Sequence, residues 1–406
     1  MSPLMIALVM VSVPGLLMGA INWMLYPLSV LFELRQRTSP SLPSNTRVSV
    51  IVPAYNEGVV LRSCIDSILG SGYENLQLVL VDDGSTDDTL AIMNEYAHLR
   101  PVTVIAKPNG GKGSALNAGI ARAEGDVFVF VDADGVFTDT TIARLLQGFR
   151  HDRVGAVCGN DLPINVHTPM TALLALMTHV GTGMTRRALA LVGMLPIVAG
   201  NSGAFRAEVV RELGGFREDT VGEDLELTWR TQFAGWDVEF APRALVLAEV
   251  PSTVKGLWKQ RVRWQRGLIQ TARIHKARFE QLPSRPVDAY LPFNLLAMLA
   301  LPVLQLVALT LAIAAFAAGD LRLNGVLGVL AWFGLGVAVA VSVLAIVLDR
   351  SWRDLRLLVF LPLWVPMSIM MSLVTITALV QEARGSQARW NKLPRTGVQT
   401  VSLESQ

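Results

Sequence analysis

Hydrophobic and polar positions divide the chain into an apolar start, a mixed middle region and an apolar end. Residues 3–32 carry no charged side chain, and further apolar runs follow near 290–318, 325–348 and 357–381. A helix needs about 20 mainly apolar residues to cross a bilayer. The pattern therefore predicts one membrane span before the middle region and about three after it, and successive runs of this length argue against buried core helices.

The charges beside the first apolar run predict which side of the membrane the middle region faces. The chain starts Met-Ser-Pro, without the basic residues that begin a cleaved signal peptide, whereas Arg35 and Arg37 follow the run. Basic residues next to a span favour the cytosolic side. We therefore expect a multi-pass protein of the plasma (inner) membrane whose middle region lies in the cytosol.

The basic tail conflicts with a simple count of spans. One span before the middle region and three after it would place the tail outside, yet Arg384, Arg389 and Arg395 favour the cytosol. Either a segment that contains Pro362 and Pro366 does not fully cross, or the tail is an exception. The sequence leaves both possibilities open.

The middle region alternates between strand-like and helix-like segments. Short β-branched runs that end in polar residues lie at 48–55, 76–83 and 126–134, with helix-like stretches at 57–69 and 86–98. This alternation predicts an α/β domain with a parallel sheet covered on both faces. Ligands of such sheets bind beyond the carboxyl ends of the strands, where the polar residues fall.

These boundaries divide the chain into segments of different character. We assign 1–34 to an N-terminal membrane segment, 35–46 to a Pro/Ser linker, 47–280 to the α/β domain with a basic interfacial segment at 251–280, 281–383 to a membrane region and 384–406 to a basic tail. A hydrophobic content of 51% with 17% charged residues agrees with a membrane protein. A net charge of +2 gives no reason to expect a nucleic-acid partner. Cys64 and Cys158 lack metal-ligand spacing and are expected to be small buried residues.

Acidic residues at the predicted strand ends are candidates for chemistry. Asp82 and Asp83 end one strand, and Asp132 and Asp134 end another with a single residue between them. Two carboxylates at this spacing can converge on Mg²⁺ or Mn²⁺ that bridges a diphosphate. A solvated turn is the alternative interpretation, because Asp is common in turns.

A third acidic pair, Glu223 and Asp224, precedes a helix-like stretch at 225–233. A helix N-terminus stabilises an ionised carboxylate. Either residue is a candidate for the base that takes the proton from an attacking hydroxyl in an inverting transfer. Simple helix capping remains the alternative.

Two basic segments also offer contacts to a phosphorylated ligand. Lys112 lies in a Gly-rich loop, 109–119, which fails the P-loop pattern but offers an ammonium group and free backbone N–H groups; a flexible turn is the alternative. Residues 255–267 interleave Lys and Arg with Trp, which suits single-stranded nucleic acid, a membrane-surface helix, or a site for a departing diphosphate and a stacked sugar. Its place just before the apolar end of the chain favours the membrane surface over nucleic acid.

The candidate motifs occur in a recognisable order. They are VPAYNE (52–57), DDGSTDD (82–88), DAD (132–134), GED (222–224) and QRVRW (260–264). In this order they resemble the processive branch of glycosyltransferase family 2, whose membrane synthases for cellulose, chitin, hyaluronan and poly-N-acetylglucosamine carry a Q-x-x-R-W signature. The stretch 239–264 is most similar to bacterial poly-β-1,6-N-acetylglucosamine synthases.

The resemblance implies a GT-A-type, Rossmann-like fold and an inverting mechanism with Mg²⁺ or Mn²⁺. It implies donor binding by Pro53, Tyr55, Glu57, Asp82, Asp83, Lys112, Asp132, Gln260 and Arg263, metal binding by Asp132 and Asp134, base catalysis by Asp224 with Glu223 beside it, and acceptor binding by Trp264 and Gly203. The loop 200–206, which contains Gly203, resembles the acceptor-side loop of the family.

Three departures from the family pattern limit the resemblance. Gly222 stands where many synthases have Thr, so a helix-capping hydroxyl is missing. Gln265-Arg266-Gly267 replaces the Ala-Gln-Gly typical of the poly-N-acetylglucosamine enzymes, which leaves the sugar open. A single N-terminal span replaces the pair that those synthases often have.

The leading hypothesis is a hexosyltransferase-type membrane enzyme that uses a nucleotide sugar, UDP-N-acetylglucosamine or a similar UDP-sugar, to elongate a β-linked polysaccharide such as a biofilm exopolysaccharide. The alternative is transfer of a single sugar to a lipid acceptor. A catalytically inactive scaffold or transporter would contradict the presence of all the expected carboxylates. Besides donor and acceptor, the resemblance implies contact with membrane lipids and a small membrane subunit as a partner.

Overall fold

The computed structural model describes residues 2–35, 42–320, 326–386 and 395–397. Within these residues, eight strands form one sheet. The strands are β1 Val48–Ala54, β2 Leu76–Asp82, β3 Val102–Ala106, β4 Val127–Phe130, β5 Val136–Phe137, β6 Val154–Pro163, β7 Gly203–Arg206 and β8 Asp237–Ala248.

Helices surround the sheet and form the apolar regions. They are α1 Pro3–Trp23, α2 Leu25–Leu34, α3 Gly58–Leu69, α4 Thr89–Tyr96, α5 Lys112–Ile120, α6 Thr141–Leu146, α7 Pro169–Thr178, α8 Thr185–Leu191, α9 Ala207–Glu212, α10 Glu223–Phe233, α11 Val254–Ile274, α12 Lys276–Phe279, α13 Pro286–Ala317, α14 Val326–Asp349 and α15 Trp364–Ala383. A π-helical segment, His179–Met184, joins α7 to α8, and a 3₁₀ helix, Trp352–Leu363, precedes α15.

The sheet is mixed, which corrects the expectation of a wholly parallel one. Its order is β3-β2-β1-β4-β7-β6-β8-β5. Strands β3, β2, β1 and β4 are parallel, whereas β7 runs antiparallel to both β4 and β6, and β5 runs antiparallel to β8. The helical excursion from α7 to α8 separates β6 from β7 and returns the chain in the opposite direction. The hydrophobic pattern of a strand does not indicate the direction in which the strand runs after such an excursion.

The predicted strands at 48–55, 76–83 and 126–134 are confirmed as β1, β2 and β4. Asp82 is the last residue of β2, whereas Asp83, Asp132 and Asp134 lie just beyond the strands. All seven residues of β1 are buried, as expected for a central strand covered on both faces. Two apolar clusters cover those faces, one with Leu61 of α3 and the other with Leu116 of α5. Cys64 and Cys158 are both buried free thiols, as expected.

Three helical stretches among the described residues are long and apolar enough to cross a membrane: Pro3–Leu34, Pro286–Ala317 and Trp352–Ala383. A shorter apolar helical stretch, Gly334–Asp349, lies at the end of α14. Trp352–Ala383 begins as the 3₁₀ helix around Pro362, so the irregular path expected near the prolines is present. Most of the basic tail, 387–394 and 398–406, lies outside the described residues.

Buried ion pairs join the apolar helices to the α/β domain. Arg187 of α8 donates to Glu33 at the end of α2 at 2.8 Å and to Asp349 at the end of α14 at 2.7 Å. Arg266 of α11 donates from Nε to Glu382 of α15 at 2.7 Å. Because breaking such pairs would leave buried charges without partners, these contacts hold the domain in a defined position against the helices.

Candidate active site

The loops that follow β1 and β2 are tied together by Asn56. Its side-chain oxygen accepts a hydrogen bond from Thr86 N–H at 2.7 Å, and its own backbone N–H donates to Ser85 Oγ at 2.9 Å. Asn56 has a left-handed backbone with φ of 54°, a conformation that Asn adopts more readily than most residues. The motifs 52–57 and 82–88 therefore form one surface, with Pro53 buried in β1 and Tyr55 half-buried after it.

Asp83 lies beneath the Gly-rich loop and holds it in place. Its carboxylate is fully buried and accepts hydrogen bonds from Lys107 Nζ at 2.6 Å, Gly110 N–H at 3.0 Å and Gly111 N–H at 2.8 Å. Asp82, at the end of β2, is also buried. Both oxygens of Asp83 are bonded to this loop, so Asp83 positions the loop, and its contact with the donor stays a prediction.

Lys112 links two motifs that lie far apart in sequence. Its Nζ is 2.6 Å from Asp132 Oδ1 and 3.3 Å from Glu223 Oε1. Burial alone would lower the pKa of Lys112, but Asp132, Glu223 and Asp224 outweigh it and hold the pKa above its ordinary value. Lys112 is therefore a buried cation at the start of α5, where the Gly-rich loop leads into a helix.

Asp134, the second acid of the DAD motif, is buried next to a residue of the C-terminal tail. Its Oδ2 lies 2.7 Å from Nη1 of Arg395, whose Nε is 3.3 Å from Glu57 Oε2. Burial raises the pKa of Asp134 to about 6; Arg395 opposes this rise, whereas Asp132 and Glu249 add to it. The site therefore holds more carboxylates than the arginine neutralises.

Asp224 and Glu223 open α10, as the helix-capping interpretation required, but they also face the cleft. Asp224 Oδ2 accepts from Gly200 N–H at 3.0 Å and its Oδ1 from Leu225 N–H at 2.8 Å. Burial raises the pKa of Glu223, Lys112 lowers it and the neighbouring Asp224 raises it. Two backbone donors at a helix N-terminus thus hold the carboxylate of Asp224 in a fixed orientation, as a group that accepts a proton from an attacking hydroxyl requires.

The loop 200–206 reaches the cleft through its first residues. Asn201 Oδ1 accepts from Asp132 N–H at 3.2 Å, and Gly200 contacts Asp224. Gly203 is buried within β7, where an added Cβ would lie 2.8 Å from Val198. Contact between Gly203 and an acceptor stays a prediction, and Gly200 and Asn201 are the residues of this loop that contact the acidic motifs.

Helix α11 places the QRVRW motif against the base motif. Gly267 contacts Gly222, and the charge of Arg263 lowers the pKa of Glu223. Gln260 and Arg263 are half-buried, and helical spacing places them on the same face of α11 as Gly267. Gly222, which stands where many synthases have Thr, thus lies at a close approach of the α10 and α11 backbones. A larger residue would hinder this approach.

Trp264 stands at the edge of this face, where 47% of the residue is exposed. The guanidinium of Arg261 lies 4.3 Å from the centre of its ring, and acceptor binding by Trp264 stays a prediction. Burial lowers the pKa of Arg261 to about 10.

Gln265 and Arg266, which depart from the poly-N-acetylglucosamine pattern, contact the apolar helices rather than the cleft. Gln265 donates to Met298 O at 3.1 Å, and Arg266 pairs with Glu382. This departure therefore affects how α11 is anchored and gives no information about the sugar.

The carboxylates fit a divalent cation held jointly by protein and ligand. Among the described residues, no group of three or more His, Cys, Asp or Glu forms a complete metal site. Asp132 and Asp134 each pair with a basic side chain, Lys112 and Arg395, so positive charge is favourable at both. Mg²⁺ and Mn²⁺ commonly take one or two carboxylates and complete their shell with phosphate and water.

Sequence reasoning missed three residues of the cleft: Asn56, Asn201 and Lys107. The tail residue Arg395 was noticed only for its charge. Asn56 and Asn201 lie inside segments that the sequence analysis quoted, and Lys107 lies just before the Gly-rich loop. Their roles were not recognised because their partners lie on other loops. No local pattern connects Arg395 to Asp134, which lies far away in the sequence.

Comparison with known proteins finds relatives for the middle part of the chain. Residues 49–214 match the glycosyl transferase family 2 profile. A poly-β-1,6-N-acetyl-D-glucosamine synthase of Staphylococcus epidermidis is 28% identical over 222 residues, 54% of each chain. The probable glycosyltransferase YdaM of Bacillus subtilis (strain 168) is 33% identical over 230 residues, 54% of this chain and 55% of that protein. The matched segments thus span about half the length of these relatives.

A solved structure shares the fold over nearly the whole chain. The mannosyltransferase PcManGT from Pyrobaculum calidifontis, in complex with GDP-Man and Mn²⁺, superposes with a TM-score of 0.64, covering 94% of this chain and 100% of that one at 24% identity. The expected GT-A fold is therefore confirmed. The chain therefore has a GT-A fold, and its residues 49–214 are similar to glycosyl transferase family 2.

Proposed function

We propose that this protein is an inverting, metal-dependent membrane glycosyltransferase that uses a UDP-sugar, with UDP-N-acetylglucosamine as the first candidate, to elongate a β-linked polysaccharide. The observation that carries the proposal is the pair of contacts from Lys112 Nζ, 2.6 Å to Asp132 and 3.3 Å to Glu223. They bring the acids proposed for the donor diphosphate next to those proposed for base catalysis.

The base assignment follows from the surroundings of Asp224. Two backbone N–H groups fix its carboxylate, and Glu223 beside it is already engaged by Lys112. Asp224 takes the proton from the acceptor hydroxyl as the acceptor oxygen forms its bond to the anomeric carbon. The bond from that carbon to the diphosphate oxygen breaks on the opposite face, and the nucleoside diphosphate leaves with the electron pair.

The basic side chains of the cleft support the departure of the diphosphate. Lys112 at the start of α5 and Arg263 of α11 both act electrostatically on Glu223, so both lie close to the proposed reaction centre. A cation held by Asp132 and Asp134 would supply Lewis-acid stabilisation of the leaving diphosphate. Pro53, Tyr55 and Glu57 remain the proposed nucleoside side of the pocket, and Gln260 the proposed junction with the acceptor.

The membrane helices support a growing-glycan or lipid acceptor at the inner membrane, with the α/β domain in the cytosol. Arg35, which follows α2, pairs with Glu239 of β8 at 2.7 Å, so the basic end of the first apolar stretch contacts the α/β domain directly. This agrees with the positive-inside tendency. A small membrane subunit stays part of the proposal.

The experiment is a donor panel with product sizing. Membranes that contain the protein are incubated with UDP- and GDP-sugars plus Mn²⁺ or Mg²⁺, and released nucleoside diphosphate and product mass are measured. We expect release from a UDP-sugar and a polymer ladder, with loss of both in Asp132→Asn and retention in Glu208→Gln, an exposed acid. Absence of nucleoside diphosphate release with every donor would refute the proposal.

A second candidate is transfer of one sugar to a lipid. The observation that favours it is an apolar cavity of about 490 Å³ between the α/β domain and α15, lined among others by Met170, Leu173, Met367 and Met370. Its flexible thioether and aliphatic lining suits an alkyl chain. A single glycolipid product in the same assay would select this function over polymer synthesis.

A further inference from the structure

Part of the C-terminal tail, Arg395–Gly397, lies in the cleft of the α/β domain. Thr396 donates from N–H and from Oγ1 to the two carboxylate oxygens of Glu249, both at 2.8 Å. An added Cβ at Gly397 would lie 2.7 Å from Val59 at the start of α3. The segment is therefore packed against the elements that carry the donor motifs.

Arg395 inserts between carboxylates proposed for the donor and its cation. It contacts Asp134 at 2.7 Å and Glu57 at 3.3 Å, and its side chain is 16% exposed. Asp132 and Glu249 also act on its charge. A single guanidinium thus faces several carboxylates in a buried place, where a cation of higher charge would be bound more strongly.

Arg395 and a divalent cation compete for the carboxylate of Asp134. A guanidinium is planar and delocalised, whereas Mg²⁺ or Mn²⁺ needs oxygen ligands at about 2.1 Å in octahedral geometry. Two positive groups at that separation also repel each other strongly in a buried site. Occupation by one therefore disfavours occupation by the other.

We propose that Arg395 holds the place of the divalent cation at Asp134 and that cation binding displaces the Arg395–Gly397 segment from the cleft. This inference rests on the proposed assignment of Asp132 and Asp134 to the metal. The tail acts as an internal competitor that sets how much cation is needed to open the donor site.

The size of the effect follows from the fraction of molecules in which the segment is docked. The apparent dissociation constant equals the intrinsic one divided by the competent fraction. If nine molecules in ten have the segment docked, removing it tightens cation binding about tenfold. A change of this size is easily measured.

The test measures Mn²⁺ binding to the purified full-length chain in detergent, by the electron paramagnetic resonance signal of free Mn²⁺. We expect Arg395→Ala to bind Mn²⁺ about tenfold more tightly than wild type. Thr396→Ala, which keeps the arginine but loses the hydroxyl contact with Glu249, should tighten binding by a smaller factor. Arg384→Ala removes an exposed arginine nearer the start of the same tail and should leave binding unchanged.

The outcomes separate this inference from the proposed function. If Asp134→Asn binds Mn²⁺ as wild type does, the metal assignment itself fails. If Asp134→Asn loses binding while Arg395→Ala matches or binds more weakly than wild type, the metal assignment stands and the competition is refuted. If Arg395→Ala tightens binding but Thr396→Ala leaves it unchanged, the effect is local charge only and displacement of the segment is refuted.

Discussion

Gly222 and Gly267 bring two functional helices into backbone contact. A Cβ added to Gly222 would lie 2.9 Å from Cα of Gly267, and a Cβ added to Gly267 would lie 2.9 Å from Cα of Gly222. Real Cβ atoms do not tolerate such separations. The contact therefore sets the spacing between the start of α10, which carries Asp224, and the QRVRW helix.

We expect Gly267→Ala to lower the transfer rate, because the added methyl group must push α11 away from α10. Overpacking of this kind costs about 1–3 kcal/mol, and a small displacement of Arg263 and Trp264 from the cleft can cost about a hundredfold in rate. The measurement is initial rate of nucleoside diphosphate release at saturating donor. Gly181→Ala is the control, since an added Cβ there meets nothing within 4 Å; equal rates for both variants would contradict the role of the contact.

Asp224→Asn should abolish transfer while donor binding is largely kept. The amide retains an oxygen that can accept the hydrogen bond from Gly200 N–H, but it cannot take a proton from the acceptor. The expected loss is about 10²–10⁴-fold in rate, with the donor dissociation constant changed by less than about threefold. Glu208→Gln, at an exposed acid, should behave as wild type. Activity that survives in Asp224→Asn would move the base to Glu223.

Trp264→Ala should impair use of the acceptor more than hydrolysis of the donor. The ring is half exposed and supported from one side by Arg261, so its other face is free to stack on a sugar. We expect acceptor KM to rise about tenfold, equivalent to about 1.4 kcal/mol, with donor hydrolysis nearly unchanged. Trp352→Ala removes another exposed tryptophan and serves as the control. An equal loss of both activities would exclude the stacking role.

The parallel half of the fold could be predicted because its information is local. The buried apolar run of β1 predicts a strand. The Asp82–Asp83 pair at the end of β2 predicts the edge of the sheet where ligands bind. The direction of β7 could not be predicted in this way, because it depends on how α7 and α8 fold back. A hydrophobic pattern describes which face of a segment is buried and is silent about strand direction.

In the candidate site, too, residues in local motifs could be predicted and long-range contacts could not. Asp132, Glu223 and Asp224 were found because each belongs to a short motif with its own chemistry. Lys112 was noticed as a basic group in a loop, but its role as a bridge between Asp132 and Glu223 required three dimensions. The contact between Arg395 and Asp134 could not be predicted, because the sequence around a single arginine in a basic tail does not indicate its partner.

His179 offers a further test, of how the α/β domain is held against the apolar helices. Its Nδ1 lies 2.7 Å from Asp349 Oδ2 and its Nε2 lies 3.0 Å from Asp354 Oδ2. Ionised carboxylates only accept hydrogen bonds, so both ring nitrogens must donate and the imidazole must be protonated. Burial alone would lower the pKa of His179, but the two carboxylates outweigh it and raise the pKa to about 9.

The raised pKa predicts how stability changes with pH. Because the pKa of a free histidine is about 6.5, the stabilising effect is complete below about pH 6.5 and is lost as pH rises through about 9. Its upper bound is roughly 3 kcal/mol, since one pKa unit corresponds to about 1.4 kcal/mol. We expect the apparent melting temperature of wild type in detergent to fall by a few degrees between pH 6.5 and 9. His179→Gln should have a lower melting temperature at pH 6.5 and a flatter dependence, whereas His98→Gln, at an exposed position, should follow wild type. If His179→Gln and wild type lose the same number of degrees over this range, the histidine is neutral in the folded protein and the two carboxylates are satisfied in another way.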